Sequence, residues 1–462
     1  MQDTKYNFSL LFSDQEMRDK RWEVFIRQPI GQLYLTIPFQ KIAKRYCVKK
    51  HKCGKVPFFK TEGGIGLMFL KSYLKLSDAK LIERINTDWA LQFFCGIRLG
   101  AGQMIKDTGI VSRWRMFLGK HLDEDEIQEI LIEEWNADIE QKQTNVSDAT
   151  CYESHVRYPT DVKLLWECLS WLHKNMIALS QYLKMRQPRN KFRDIKKAYL
   201  NYSRKRRKGY KKTKKMRGRL LYLIDKIFSQ ITPLIGFWKV QVQCLNRTNT
   251  TSQTPVKANF FEKLGLIKKV YRQQKLHFDR PDKRIANRIV SIAKPYLRPI
   301  VRGKETKRVE FGKKVHKMMV GGLGFIEYGS YDAFHEGVRT VKTIWKHRRY
   351  FGRCDHFGGD AIYANNKNRS YCSKNKIFTG FKRKGKAGKN EKQAKLLRSL
   401  IAQERSTVLE GSFGNEKNHY GLDRIKARTQ HTEDAWIFFG MMCANAMKVA
   451  KMRAKKSNAP PR

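Results

Sequence analysis

A chain of 462 residues with 95 Lys and Arg against 42 Asp and Glu carries a formal net charge of +53, a self-repulsion that a polyanionic partner would relieve. With 41% hydrophobic and 12% aromatic residues it holds enough apolar material for a folded core, which excludes a disordered basic tail and makes nucleic acid the expected partner. The longest uninterrupted apolar run, Ala435 to Ala444, is too short to span a bilayer and no signal peptide is read at the N-terminus, so neither a membrane nor export is expected.

Nine cysteines without regular spacing point to free thiols in a reducing, cytoplasmic compartment rather than to a disulfide framework. Cys47 and Cys53 with His51 between them could form half a zinc site, but no second ligand pair lies at finger or ribbon spacing. The length suggests two or three domains.

Residues 1–142 read mostly as helix. Ser77 is the expected N-cap of a helix in which Leu81, Ile85, Trp89 and Phe93 recur every fourth position, giving one buried stripe. A second helix is expected from Asp123 to about Gln141, because the acidic run at its start suits the positive end of the helix dipole. Between them Ser112 to Lys120 is basic and aromatic. Arg113, Arg115 and Lys120 there are available to phosphates if this region is a DNA-binding module, and idle if it is a structural cap.

Val146 to Tyr152 is a short mixed run with one acid, Asp148. Strand interiors disfavour aspartate, so the local sequence reads as a turn ahead of the Tyr158-Pro159 corner. From Asp161 the helical period returns with Leu165, Leu169, Leu172 and Met176. Half of the residues from Lys184 to Arg219 are Lys or Arg, and the densest run is Arg204, Lys205, Arg206, Arg207 and Lys208. Interleaved Phe192, Tyr199, Tyr202 and Tyr210 favour a helix or arm that tracks a DNA backbone over an idle solvated tail. Its contacts would be to phosphates, salt dependent and blind to sequence.

Asn246 to Pro255 reads as a linker, with order resuming near Arg284. Partial alternation from Val309 to Lys317, a Gly-rich turn at Gly321 to Gly324 and a return over Phe325 to Tyr328 predict a strand pair, followed by a helix from Asp332 to about Trp345. Asp360 follows two glycines, which permit close backbone approach or, by default, a turn. Leu396, Leu397, Leu400 and Ile401 lead a helix towards Glu410, a lone carboxylate between Leu409 and Phe413. Lys417 lies two helical turns beyond it on the same face, an acid and a base that could serve a metal ion and a phosphate or form a surface pair. The final helix, Thr432 to about Met452, carries a packed stripe of Trp436, Phe439, Cys443, Ala446 and Ala450.

Asp148, Asp360 and Glu410 together are the donor set that two Mg²⁺ ions require, with Mn²⁺ a possible substitute, because hard cations take carboxylate oxygens. Two such ions would activate the attacking oxygen and stabilise the leaving one during in-line displacement at phosphorus, and on so basic a chain the phosphorus is that of DNA.

These residues resemble the DDE transposases of bacterial insertion sequences, in the branch with a helical N-terminal region and a ribonuclease H-like catalytic core. FLKSYLKLSDAKLIERINTDWALQFFCGI (Phe69 to Ile97) looks like that branch's helical module. VSDATCYESHVRYPTDVKLL is similar to the first-aspartate motif and places it on Asp148, GGDAIYANNKNRSYC resembles the second and places it on Asp360, and VLEGSFGNEKNHYGL is similar to the glutamate motif and places it on Glu410, with Lys417 where the family's lysine contacts DNA at the element's end.

The resemblance implies a mixed α/β fold: a helical DNA-binding domain over 1–142, a ribonuclease H-like core from 143–160 and 284–452, a basic helical insertion over 161–283 after the first core strand, and a disordered basic tail over 453–462. It implies a bacterial, cytoplasmic, nucleoid-associated enzyme that acts as a homodimer on paired ends of double-stranded DNA, with no small-molecule substrate. That enzyme would cleave at the terminal inverted repeats and join the freed 3′-OH to target DNA, without a covalent enzyme intermediate. Other ribonuclease H-like nucleases, such as a junction resolvase, and a non-catalytic DNA-binding protein are the alternatives. The chain departs from the family's pattern around the glutamate, where the tyrosine expected a few residues before the arginine is missing. The arginine expected four residues before the glutamate is Ser406 here, and Arg405, five residues before, would point away from Glu410 in a regular α-helix.

Overall fold

The computed structural model describes residues 14–46, 58–100, 102–247, 254–301, 309–385 and 390–457. The Cys47, His51 and Cys53 half-site lies outside the described residues, as do residues 248–253 of the expected linker and 458–462 of the expected tail. The chain forms two compact units, one from the residues up to His155 and from Gly312 onward, the other from Val156–Phe311.

The first unit is built on a mixed sheet. Its strands are β1 (Thr144–Ser154), β2 (Gly312–Val320), β3 (Leu323–Ser330), β4 (His356–Gly358), β5 (Phe378–Thr379) and β6 (Arg424–Ile425). The order is β3-β2-β1-β4-β5, with β6 pairing the end of β1. The β1/β2 and β2/β3 pairs are antiparallel, whereas β1/β4, β4/β5 and β1/β6 are parallel. This division follows from the connections. Gly321 and Gly322, both at positive φ, close β2 onto β3 in the tight turn that twisted hairpins favour. Parallel partners need crossovers, supplied by the helices Thr340–Phe351 and Asn366–Lys374.

Asp148 stands in the middle of β1, so the turn expected from local propensity does not form. Val146, Ala149, Cys151 and Tyr152 around it are buried, and the burial of the strand overrides one unfavourable residue.

Helices cover the sheet. Nearly every side chain from Ala435 to Ala450 of the helix Gln430–Ser457 is buried, the pattern of a helix surrounded on all sides. One hydrophobic cluster runs from Phe25, Leu67 and Phe94 through Phe438 and Met442 to Met318 and Phe325 of the sheet. Glycines let the helices meet closely: a Cβ at Gly64 would lie 2.3 Å from the Trp114 ring, and one at Gly119 would lie 2.2 Å from the His431 carbonyl oxygen.

Several expectations are corrected here. The stripe from Leu81 to Phe93 belongs to two helices, Asp78–Thr87 and Trp89–Phe94. Asp88 breaks the run, because its carboxylate accepts from the Ala90 and Leu91 N–H groups and caps the second helix. The acidic helix is Glu124–Trp135, capped by Asp123 and shorter than expected. Arg115 is buried against Asp78 and stacked on Trp436, so it is not open to phosphates, and Arg113 pairs with Asp107. A 3-10 turn, Glu336–Val338, precedes the helix expected from Asp332. Residues 453–457, expected in the tail, continue the last helix.

Among the described residues the regular structure of the second unit is helical apart from a short ribbon of Ile300–Val301 with Val309–Glu310, and residues 280–299 are irregular. Leu165, Leu169, Leu172 and Met176 of Asp161–Tyr182 share a core with Leu220, Ile224, Ile227 and Ile231 of the long helix Tyr210–Arg247. A helix, Phe260–Asp279, stands ahead of Arg284, and its Leu264, Ile267 and Val270 carry a helical period set among lysines. Part of the long helix, Tyr210–Gln243, is long and apolar enough to cross a bilayer by length and composition. Leu220, Ile224, Ile227, Ile231 and Leu234 of this stretch pack in the core just described, while Tyr222, Phe237 and Val240 are exposed.

Candidate active site

The parallel strands β1 and β4 pair only over Thr144↔His356, Asn145↔Phe357 and Val146↔Gly358. Asp148 and Asp360 each stand two residues beyond the last of these pairs, where the strands part. Two carboxylates from distant sequence are thereby brought level at one end of a parallel strand pair. Both glycines of the Gly358-Gly359-Asp360 run serve close approach. A Cβ at Gly358 would lie 2.5 Å from Ile401 Cγ2, and one at Gly359 would lie 2.7 Å from Tyr363 Cδ2. Asp360 also makes the turn, since its Oδ1 accepts from the Ile362 N–H at 2.9 Å and caps the 3-10 turn Ala361–Tyr363.

Asp148 is mostly shielded from water, and its Oδ1 accepts from the Ala149 N–H at 2.7 Å. Burial pushes its carboxyl up to about 6. The Ala149 N–H and Arg405 oppose that shift, and the charges of Glu336 and Asp360 add to it. Glu336 is a fourth carboxylate near the site, buried and tied to Lys314 Nζ at 2.7 Å. It was missed because it sits in a turn with no motif around it. Its pairing with Lys314 is made only by the fold and left no signal in the sequence.

Glu410 begins the helix Glu410–His419, and Arg405 opens the segment before it. Arg405–Leu409 is a π-helical turn, in which one extra residue is absorbed. The expectation that Arg405 faces away from Glu410 is therefore wrong. Its Nη1 lies 3.0 Å from Glu410 Oε1 and 3.6 Å from Asp148 Oδ2, so one guanidinium nitrogen joins the first and third acids. The turn is held against the sheet by Leu409 and Ile401, which pack with Val146 of β1 and Met319 of β2.

Lys417 lies on the same side of β1 and donates to Thr150 Oγ1 at 2.9 Å, near the Tyr152 ring. Lys417 thus meets Thr150 and Arg405 joins Glu410 to Asp148, with Asp148 and Thr150 alternate residues on one face of β1. Beneath them Lys317 is fully buried. Its ammonium donates to Glu416 and to Ser412 Oγ, and Tyr152 donates to the other oxygen of Glu416.

Arg204, Lys205, Arg206, Arg207 and Lys208 are exposed between the helices Phe192–Arg204 and Tyr210–Arg247 of the second unit. Phe192 and Tyr199 from the same basic window face inward and stack on Trp166, while Tyr210 is 71% exposed. The window is thus anchored by some of its aromatic residues and presents its cations outward.

Among the described residues no three acidic, histidine or cysteine side chains close into a ready-made metal cage. The donor set nevertheless fits a hard divalent cation, because Asp148, Asp360 and Glu410 offer carboxylate oxygens and Asp148 is a carboxyl raised first by burial and then by the charges of Glu336 and Asp360. No family model, curated protein or solved structure matches the chain.

Proposed function

We propose that this chain is a DDE-type DNA transposase, which cleaves at the terminal inverted repeats of an insertion sequence and joins the ends to target DNA. The observation that carries the reading is the convergence of Asp148 and Asp360 at the parting of β1 and β4, with Arg405 linking Asp148 to Glu410. The order β3-β2-β1-β4-β5, antiparallel on one side of β1 and parallel on the other, supports a ribonuclease H-like core. The charge of +53 and the exposed Arg204 to Lys208 run support a DNA partner, engaged by a dimer on paired ends in the bacterial cytoplasm.

Asp148, Asp360 and Glu410 would hold two Mg²⁺ ions, or Mn²⁺ in their place, which when bound supply Lewis acidity at the attacking and leaving oxygens. Arg405 neutralises part of the carboxylate charge and, lying beside two of the three acids, is placed to pair with a non-bridging phosphate oxygen. Lys417, on the same face, adds a second cation along the DNA backbone. In the first step water attacks phosphorus and the 3′ oxygen leaves as a 3′-OH. In the second step that 3′-OH attacks a target phosphodiester, so one P–O bond forms for each one broken and no nucleotide triphosphate is consumed.

The test uses the full chain with DNA carrying the inverted repeats that flank its coding sequence. Mg²⁺-dependent cleavage and joining are expected, abolished by Asp148→Ala, Asp360→Ala or Glu410→Ala while end binding persists. Normal cleavage by a folded Glu410→Ala protein contradicts the reading. Cleavage of branched DNA without end joining contradicts its transposase part.

A further inference from the structure

Asp360 stands on a single 3-10 turn, Ala361–Tyr363, too short to be made rigid by its own hydrogen bonds. Its rigidity comes from Tyr363, which is fully buried. The Tyr363 ring lies on the Cα of Gly359 and edge-on to Phe357, at 6.1 Å between centroids, so its position sets the backbone leading into Asp360. The Tyr363 hydroxyl is 2.8 Å from Nε2 of His316, also fully buried. His316 Nδ1 in turn lies 3.0 Å from Glu327 Oε2, and Glu327 accepts from both Nε and Nη2 of Arg339.

A defect in the sheet creates this chain of contacts. His316 pairs with Tyr328 but Lys317 pairs with Ile326, leaving Glu327 as the extra residue of a β-bulge. A bulge re-aims the side chain it carries, and here the carboxylate is brought to the imidazole. The Glu327 carboxylate thus stands beside one ring nitrogen of His316 while the other shares a hydrogen bond with the Tyr363 hydroxyl. Burial, then the charges of Glu336, Asp148 and Asp360, keeps that hydroxyl protonated and able to donate. Asn368 closes the arrangement by donating to the carbonyls of Tyr363 at 2.8 Å and Gly337 at 2.7 Å.

We propose that His316 and Tyr363 are positioning residues: the buried relay Arg339, Glu327, His316 and Tyr363 fixes the turn that carries Asp360 and thereby sets its affinity for a divalent cation. The proposal rests on the ligand role given to Asp360. Glu327, His316 and Tyr363 are buried, so removing one leaves its neighbour with an unsatisfied buried group, and the strain falls on the turn.

The test is Mn²⁺ binding by the full-length protein, followed by electron paramagnetic resonance of free Mn²⁺, with thermal unfolding in EDTA measured beside it. Tyr363→Phe keeps the ring on Gly359 and removes only the hydroxyl. It should weaken Mn²⁺ binding about tenfold, the loss typical of groups that orient a metal ligand. His316→Gln, which keeps a polar group facing Tyr363, should lose less. Wild-type Mn²⁺ affinity in both variants overturns the proposal, as does a lowered unfolding temperature with unchanged Mn²⁺ affinity. Asp360→Asn separates the two levels. Mn²⁺ binding that does not respond to Asp360→Asn contradicts the ligand reading itself, whatever the relay variants do.

Discussion

Arg405 precedes Glu410 by five residues, yet its Nη1 lies 3.0 Å from Glu410 Oε1, because the π-helical turn Arg405–Leu409 brings both to one face. The same nitrogen is 3.6 Å from Asp148 Oδ2. Arg405→Ala should lower the cleavage rate at saturating DNA on the order of a hundredfold, the loss found when one preorganised charge partner is removed. Arg405→Lys should recover only part of this, since an ammonium keeps the charge but loses the further guanidinium N–H groups that a phosphate oxygen would take up. Single-turnover cleavage measures both, and a wild-type rate for Arg405→Ala would remove Arg405 from the site.

Asp148 gives a stability prediction with a definite sign. Its folded-state carboxyl is raised to about 6 from 3.8, so the native state holds its proton more tightly than the unfolded chain. Stability is therefore lost as pH rises between these values, by about 3 kcal/mol in all. In EDTA at pH 8, Asp148→Asn should unfold at a higher temperature than wild type, and the difference should vanish below pH 4. Mn²⁺ should stabilise the wild type and leave Asp148→Asn unmoved. A destabilised Asp148→Asn at pH 8 would count against a carboxylate whose charge is disfavoured by burial and by the neighbouring acids.

Lys317 and Glu416 form a fully buried ion pair that holds the Glu410 helix to β2. Burial lowers the Lys317 ammonium, and Glu416 works against that shift. Lys317→Met leaves Glu416 uncompensated and should cost roughly 3 to 5 kcal/mol in denaturant unfolding. Lys317→Met with Glu416→Gln should recover much of it. Equal loss in the single and double variants would show that the pair does not act as a unit.

The exposed run Arg204 to Lys208 should touch DNA through its phosphates alone. Replacing all five residues by Gln should weaken binding to any duplex and make the slope of log K against log salt shallower by roughly 0.9 for each phosphate no longer neutralised. Fluorescence anisotropy over a salt series measures this. An unchanged slope would place the DNA surface elsewhere.

The sequence carried the helical periods at Leu165 to Met176 and Trp436 to Ala450, and the hairpin at Gly321, because these signals are local. It could not carry the split of the Leu81 to Phe93 stripe, which depends on whether Asp88 caps or continues a helix. Asp148 looked like a turn residue because strand burial is decided by partners distant in sequence. The largest misreading was Arg405. An extra residue in a helix is ordinarily a change of face, and only the packing of Leu409 and Ile401 against Val146 and Met319 makes a π turn the better solution. Glu336 and the His316 relay were invisible for a similar reason, since both depend on how β2, β3 and two short turns meet.

The central claim, that Asp148, Asp360 and Glu410 hold divalent metal for phosphoryl transfer, is tested most directly by the metal preference of Asp360→Cys. A thiolate binds Mn²⁺ far better than Mg²⁺. Cleavage of end DNA by the folded variant should be lost in Mg²⁺ and restored in Mn²⁺, while wild type works in both. A variant that cleaves at the wild-type rate in Mg²⁺ would contradict the account.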